Sequence, residues 1–422
     1  MKHFFTLVEF EYRKIWKRKS AILAMSVGLL VSILSVWGPL LGSTYINGKV
    51  SESNYEATFK DLQYAKDLNG RTLDTALLLE AAHAYAQIPP NTEIPYIGLE
   101  EYETYARPYS SIYGIAGRVY RASGEEFSYE EMAALTKRDA NHFYEKRASL
   151  LKNTIANTTM SQTAKEHTLK TAEKVQTPFT YSNTEGYGRF LTLMQSTGIL
   201  SAFVIAICLS PLFAGEYTSH ADQLLLSSRY GKGKLIRAKL FTGFSFAAGF
   251  SLLLLLQTYF QCMLTFGFDG SSTPVQIFDV LCIYPLTLGQ AGFLGGLCFF
   301  GGCMLMAGLT MLLSAKLKSP FGVMILMSVF LIFPMMVQIS QNSISAFRLF
   351  HLLPANSMAY FNIFHMIPYE FAGLVVPPYI MFPVFSVVCC AAVLPLAYRG
   401  FQRHEIAYFF IAQDMEKPYN MV

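Results

Sequence analysis

Six stretches of the chain are apolar for long enough to cross a bilayer, which takes about 20 helical residues at ~1.5 Å each against ~30 Å of hydrocarbon. They lie near residues 20–43, 190–214, 240–266, 288–315, 320–340 and 374–398. A long polar region, 44–187, separates the first two, and only short loops separate the rest. The least defined edge is "IFDVLCIYPLTLGQ" at 277–290, which reads as interfacial or re-entrant ahead of the fourth span. Pro377, Pro378 and Pro383 predict a kinked or broken sixth span, a form tolerated where protein or water covers the freed carbonyls.

Ahead of the first span, "MKHFFTLVEFEYRKIWKRKS" places Phe4, Phe5, Val8, Tyr12 and Ile15 at helical spacing and ends in a basic run that includes Lys17 and Arg18. This pattern predicts an amphipathic interfacial helix over 1–19, with the apolar stripe towards lipid and the basic end at the phosphates. It is too long and too amphipathic for the charged start of a secretion signal, and no A-x-A-like cleavage site follows, so the first span is expected to be retained.

The polar region reads as helical. Ser128 and Glu131, and Thr159 and Gln162, stand at capping-box spacing; a helix over 52–69 ends at Gly70, and "RTLDTALLLEAAHAYAQIPP" ends at its proline pair. The tyrosine-dense "GLEEYETYARPYSSIYGIAGRVYRAS" suits either a binding surface or packing between helices near the membrane face.

Composition agrees with the pattern. Hydrophobic residues make up 52% and charged residues 15%, against about 25% charged in a typical soluble chain, and the deficit falls in the apolar stretches. The fold class expected is therefore an all-α polytopic membrane protein with six transmembrane helices, an interfacial helix at the start and a helical extracytoplasmic domain.

The net charge of +4 matters less than where it sits. Lys2, Arg13, Lys14, Lys17, Arg18 and Lys19 precede the first span. Arg229, Lys232, Lys234, Arg237 and Lys239 lie between the second and third, Lys316 and Lys318 between the fourth and fifth, and Arg399, Arg403 and Lys417 follow the sixth. The loop 267–287 has no Lys or Arg and 341–373 only Arg348. The excess of Lys and Arg in cytoplasmic loops then puts both termini in the cytoplasm and 44–187 outside, where 19 acidic and 15 basic residues leave it mildly acidic. All seven cysteines lie in or beside apolar spans, so the outside region is not a disulfide-stapled module and the cysteines read as small packing residues.

Candidate chemistry is sparse. His83, His142 and His167 stand singly, without H-E-x-x-H spacing, and suggest neither a metal nor a catalytic site. Asn157-Thr158-Thr159 fits a glycosylation acceptor. The segment "YGKGKLIRAK" fails as a phosphate loop, because Ser228 stands where its first glycine belongs and Leu235 follows Lys234 in place of Ser or Thr. The spans hold few ionisable groups, which argues against a proton- or ion-coupled carrier. Gln195, Gln257 and Gln261 are candidates for a sparsely polar pathway, and Gly292 and Gly296 have the spacing of close helix packing.

The segment 216–237 carries the most information. Glu216 and Asp222 stand at its start, Leu224, Leu225 and Leu226 in its middle, and Arg229 and Lys232 begin its basic end. The order Glu, leucine-rich turn, Ser-Ser-Arg, basic cluster and Lys239 resembles the ABC-2 type ABC transporter permeases. The resemblance covers 1–43 and 188–410; at Ser228 this chain departs from the proline found near the Ser-Arg pair in many relatives. It implies domains at 1–19 (surface helix), 20–43 (first span), 44–187 (outside domain), 188–398 (remaining spans) and 399–422 (cytoplasmic tail).

The resemblance also implies a permease subunit in a bacterial cell membrane, exporting hydrophobic or amphipathic cargo such as peptides or antibiotics by alternating access. The partners implied are a separate ATPase subunit holding ATP and Mg, a second copy or sibling permease, and the bilayer, with no nucleic acid. The chain itself is then no enzyme, and 216–237 is the coupling segment that docks on the ATPase. The other reading is an ATPase-independent membrane receptor or secretion scaffold working through its outside domain, similar to the phage infection protein family.

Overall fold

The computed structural model describes residues 2–46, 49–89, 99–121, 126–228 and 230–403. The chain is mostly helical, with two small antiparallel hairpins, Ser43–Ile46 with Lys49–Ser53 and Tyr369–Phe371 with Leu374–Val376. Among the described residues, five helical stretches are long and apolar enough to cross a membrane: Lys19–Leu40, Glu185–Thr218, Gly231–Phe266, Leu288–Lys316 and Pro378–Gln402. They mark a multi-pass membrane protein. The stretch expected as a span at 320–340 forms a shorter apolar helix. Pro320–Met336 has 17 residues, about 26 Å at ~1.5 Å per residue, and so falls short of the ~30 Å hydrocarbon layer that the 320–340 reading assumed. Its ladder is weakened by Pro334 two residues before its end.

Leu288–Lys316 is the central helix and packs against Glu185–Leu209, Ile236–Phe266 and Pro378–Gln402. It starts where the ambiguous 277–290 stretch ends, with a capping box of Thr287 and Gln290. Glycines let it approach its neighbours. A Cβ on Gly295 would stand 2.5 Å from Met194 Cε, and one on Gly302 2.9 Å from Met358 Cγ. The spacing pair Gly292 and Gly296 has ordinary clearance instead, at 3.6 Å and 3.5 Å, so close packing rests on the neighbouring glycines.

The first long helix, Lys19–Trp37, buries one stripe (Ala21, Met25, Gly28, Ser32 and Val36) and exposes the rest. Its polar contacts explain two of the glutamines. Ser32 Oγ donates to Gln257 Oε1 at 2.6 Å, Gln257 Nε2 donates to Gln261 Oε1, and Gln261 Nε2 donates to the Ile33 carbonyl at 3.2 Å. Gln257 and Gln261 therefore join two helices, while Gln195 donates to the Ala355 carbonyl at 3.2 Å in another part of the fold.

The 44–187 region forms its own helical cluster, of which 47–48, 90–98 and 122–125 lie outside the described residues. The Ser128–Glu131 capping box is present, but the helix expected after it breaks into Tyr129–Ala133, Lys137–Asn141 and Phe143–Asn157, because Thr136 and Asp139 form a second box that restarts the chain. The expected Thr159–Gln162 start moves to Ser161, whose hydroxyl accepts from Ala164 N–H. Tyr85, Tyr102, Tyr113 and Tyr129 stack on one another with centroids 5.0–5.7 Å apart inside this core, which is the packing alternative for the tyrosine-rich stretch.

Several contacts tie this cluster to the loops between the long helices, among them those of Arg147 and Glu370. Buried Arg147 donates to the carbonyls of Val280 (2.6 Å) and Cys282 (3.1 Å), holding the 277–290 stretch as an ordered cap. Ser161 donates to Glu370, which also pairs with Arg348 at 3.0 Å. Replacing Arg147 by methionine strands the Val280 carbonyl, at a cost of about 1–3 kcal/mol if it stays buried without a partner, whereas the Cys282 carbonyl keeps Gln276 Nε2 at 3.0 Å. Faster proteolysis of the 270–287 loop in that variant is the expected readout; wild-type resistance would refute the tie.

Near the Glu370 contact, half-buried His365 accepts from the Ile367 N–H through Nδ1 at 3.1 Å. Burial, with His351 close by, lowers its pKa to about 4. A folded pKa below the ordinary value of about 6.5 gives stability that is present above 6.5 and is lost as pH falls towards 4. Protection factors for hydrogen exchange in 344–371, taken relative to the intrinsic rate at each pH, are therefore expected to fall as pH drops from neutral to 5, less so in His365→Gln; equal pH responses would contradict it.

Candidate functional site

The charged residues that flank the second and third spans do not all point outward. Lys239, near the start of Ile236–Phe266, is 0% exposed, and its three N–H donors meet three acceptors: Glu11 Oε2 at 2.9 Å, Glu216 Oε1 at 2.6 Å and the Leu212 carbonyl at 2.8 Å. Lys14 reaches the same two acids, Glu11 Oε1 at 3.0 Å and Glu216 Oε1 at 2.6 Å. Two acids and two bases thus balance in a closed quartet joining the N-terminal helix Lys2–Lys17, the short helix Pro211–Thr218 and the foot of Ile236–Phe266. Burial alone would lower the Lys14 pKa; the paired carboxylates outweigh it and raise it.

The N-terminal helix corrects an expectation. Val8 and Ile15, expected towards lipid, are 7% and 0% exposed and pack on protein, and Tyr12 donates to Ser245 Oγ at 2.8 Å. Phe4 is half-buried, edge-on to Phe241 at 5.9 Å. The stripe faces inward because Glu11, on the same face and 1% exposed, needs Lys239. Phe5, Phe10 and Trp16 are the exposed aromatics. Lys17 is exposed, whereas Arg18 turns inward and donates to the Cys208 carbonyl at 2.6 Å.

The second apolar helix opens where this quartet attaches. Pro211 cannot donate, and the groups around it are taken up by other elements. Ser314 Oγ accepts from the N–H groups of Phe213 and Ala214 at 3.0 Å each and donates to the Ser210 carbonyl at 2.7 Å. Tyr217 donates to the Ala315 carbonyl at 2.8 Å.

Beyond the break, His220 turns the chain in the left-handed region (φ 54°) into Ala221–Ser227. Helical rotation separates the leucine triplet: Leu224 is 76% exposed, Leu225 is half-buried and Leu226 packs in the main core. Asp222 is buried. Arg229 lies outside the described residues. A one-turn π-helix, Gly231–Leu235, returns the chain to Ile236–Phe266. A methyl group on Gly231 would collide with the Leu225 carbonyl oxygen and lie 2.9 Å from Ser228 Oγ, so only glycine fits this return.

Lys232 points its side chain outward while its carbonyl accepts from Tyr398 Oη at 3.1 Å and Gln402 Nε2 at 3.3 Å. No family model, curated protein or solved structure matches the chain. The segment 221–235 is therefore read from its own geometry. It exposes Leu224, Lys232 and Lys234, while Leu226 packs in the main core and the Lys232 carbonyl is held by Pro378–Gln402.

Chemically the arrangement holds position. Among the described residues no group of three or more His, Cys, Asp or Glu could hold a metal ion. Sequence reasoning singled out Glu216 and Lys239 but missed Glu11, Ser314 and Arg147. For Glu11 a signal existed, a carboxylate three residues after Val8 and four before Ile15 on one helical face. Ser314 carries no signal in an apolar helix.

Proposed function

We propose that this chain is the membrane subunit of an ATP-driven transporter of the ABC-2 type, probed at 221–235 by a separate ATPase that binds ATP and Mg. The observation that carries this reading is a short segment displaying an apolar side chain, Leu224, together with Lys232 and Lys234, while Leu226 and the Lys232 carbonyl hold it to the helical bundle. Such a surface suits a groove with an acidic rim. In this reading Pro320–Met336 is a short fifth crossing, six passes put both termini in the cytoplasm, and 44–187 lies outside a bacterial cell membrane. Two copies, or this chain and a sibling permease, form the pathway for hydrophobic or amphipathic cargo, with export the expected direction.

The test is affinity purification of the full chain from its native membrane in mild detergent, with the eluate assayed for a soluble ATPase. The double variant Leu224→Asp/Lys232→Glu is expected to lose the ATPase by tenfold or more, which corresponds to ~1.4 kcal/mol of binding, while reaching the membrane normally. If no ATPase accompanies the wild-type chain in several detergents, the transporter reading fails and 44–187 becomes the working part.

A further inference from the structure

A cleft of about 560 Å³ runs along the outside of the helical bundle. Its floor is Tyr187 and Phe190, one wall is Leu252–Tyr259 of the third apolar helix, and the other is the Gly289–Phe300 face of the central helix. Gly292 and Gly296, four residues apart on one face of the central helix, leave the hollow where side chains would stand, and Gly289 lines its end.

The cleft has a polar end and an apolar run. The hydroxyls of Tyr187 and Tyr259 stand 3.4 Å apart, so when one donates to the other the second retains a free donor. Tyr187 is the third residue of its helix and Gly289 the second of the central helix, which places this end at the edge of the bundle facing the 44–187 region. From there to Phe300 the central helix advances 11 residues, about 16 Å, which is half of a ~30 Å hydrocarbon layer. Leu252, Leu256, Phe293 and Leu297 flank the opening and are exposed, as side chains bordering lipid are.

We infer that this cleft holds one acyl chain of a phospholipid from the leaflet adjoining the 44–187 region, with the tyrosine hydroxyls donating to the ester or phosphate oxygens at its head. Depth, lining and the position of the donors all match that occupant: the hollow is one leaflet deep, apolar throughout its length and polar only at the membrane edge. The inference rests on the membrane-spanning helices and is independent of any ATPase.

The test uses the purified full chain in nanodiscs containing a trace of phosphatidylcholine with a photoactivatable diazirine on its acyl chain, followed by peptide mapping of the adducts. Adducts are expected to concentrate on 252–259 and 289–300. Gly296→Leu fills the hollow, and a Cβ there meets only Leu255 at 3.5 Å, so the helix accepts it. The variant should lower this labelling about tenfold, because excluding even two methylenes from a site costs that much.

Gly249→Leu, at a position with open space on the third helix, adds the same bulk elsewhere and should leave labelling unchanged. A second apolar cleft near Leu309, Phe330 and Phe385 is an internal control whose labelling should be the same in wild type and Gly296→Leu. Even labelling over all exposed helix faces, or unchanged labelling in Gly296→Leu, would overturn the inference. So would a disulfide between copies through Phe293→Cys, which would show a second chain in the cleft.

Discussion

Lys239→Met is expected to cost the protein most of its stability, about 3–5 kcal/mol, the typical loss when one partner is removed from a buried ion pair. Its three acceptors would lose a donor together, leaving the Glu11 and Glu216 carboxylates to share Lys14 alone. The measurement is thermal unfolding in detergent by size-exclusion fluorescence, with proteolysis of the N-terminal helix as a local readout. Adding Glu216→Gln to the same chain restores the charge balance, one acid with one base, and should recover a large part of the loss. A double variant no more stable than Lys239→Met would mean that the lysine acts through packing and not through its charge.

The second large effect is expected at Gly231. Gly231→Ala cannot be accommodated by rotating a side chain, since the atom in the way is the backbone oxygen of Leu225. The turn has to open, which should separate Ala221–Ser227 from Gly231–Leu235 and release the Lys232 carbonyl from Tyr398 and Gln402. Ile236–Phe266 keeps its own hydrogen-bond ladder beyond this turn, so folding in the membrane should survive, while on the transporter reading ATPase recovery should fall to background. Recovery at the wild-type level would separate the shape of this segment from any role in partner binding.

The sequence was informative where a residue's surroundings are local. Five of the six apolar stretches correspond to helices of spanning length, and the Ser128–Glu131 box starts a helix because its bonds close within four residues. It was less informative where a face meets another element. The stripe of Val8 and Ile15 has the same period whether lipid or protein covers it, and what decides is Lys239, more than two hundred positions away. Glu216 read as part of a docking surface for the same reason: its place in a polar segment was visible, and the two lysines that bury it were not. Pro320–Met336 shows the limit of composition, since its hydropathy fits a span and only its end at Met336 shows the shortfall.

A proline break in a long helix usually supplies a place to bend. At Ser210–Ala214 the backbone groups around the break are instead gripped by Ser314, Arg18 and Lys239, which belong to three other elements. Bending there would have to pull on all three at once. The break therefore behaves as a welded joint: on the transporter reading, a push on the segment after the break would not be absorbed there but would pass as displacement to the central helix, which carries Ser314 and the glycine-lined face along its length.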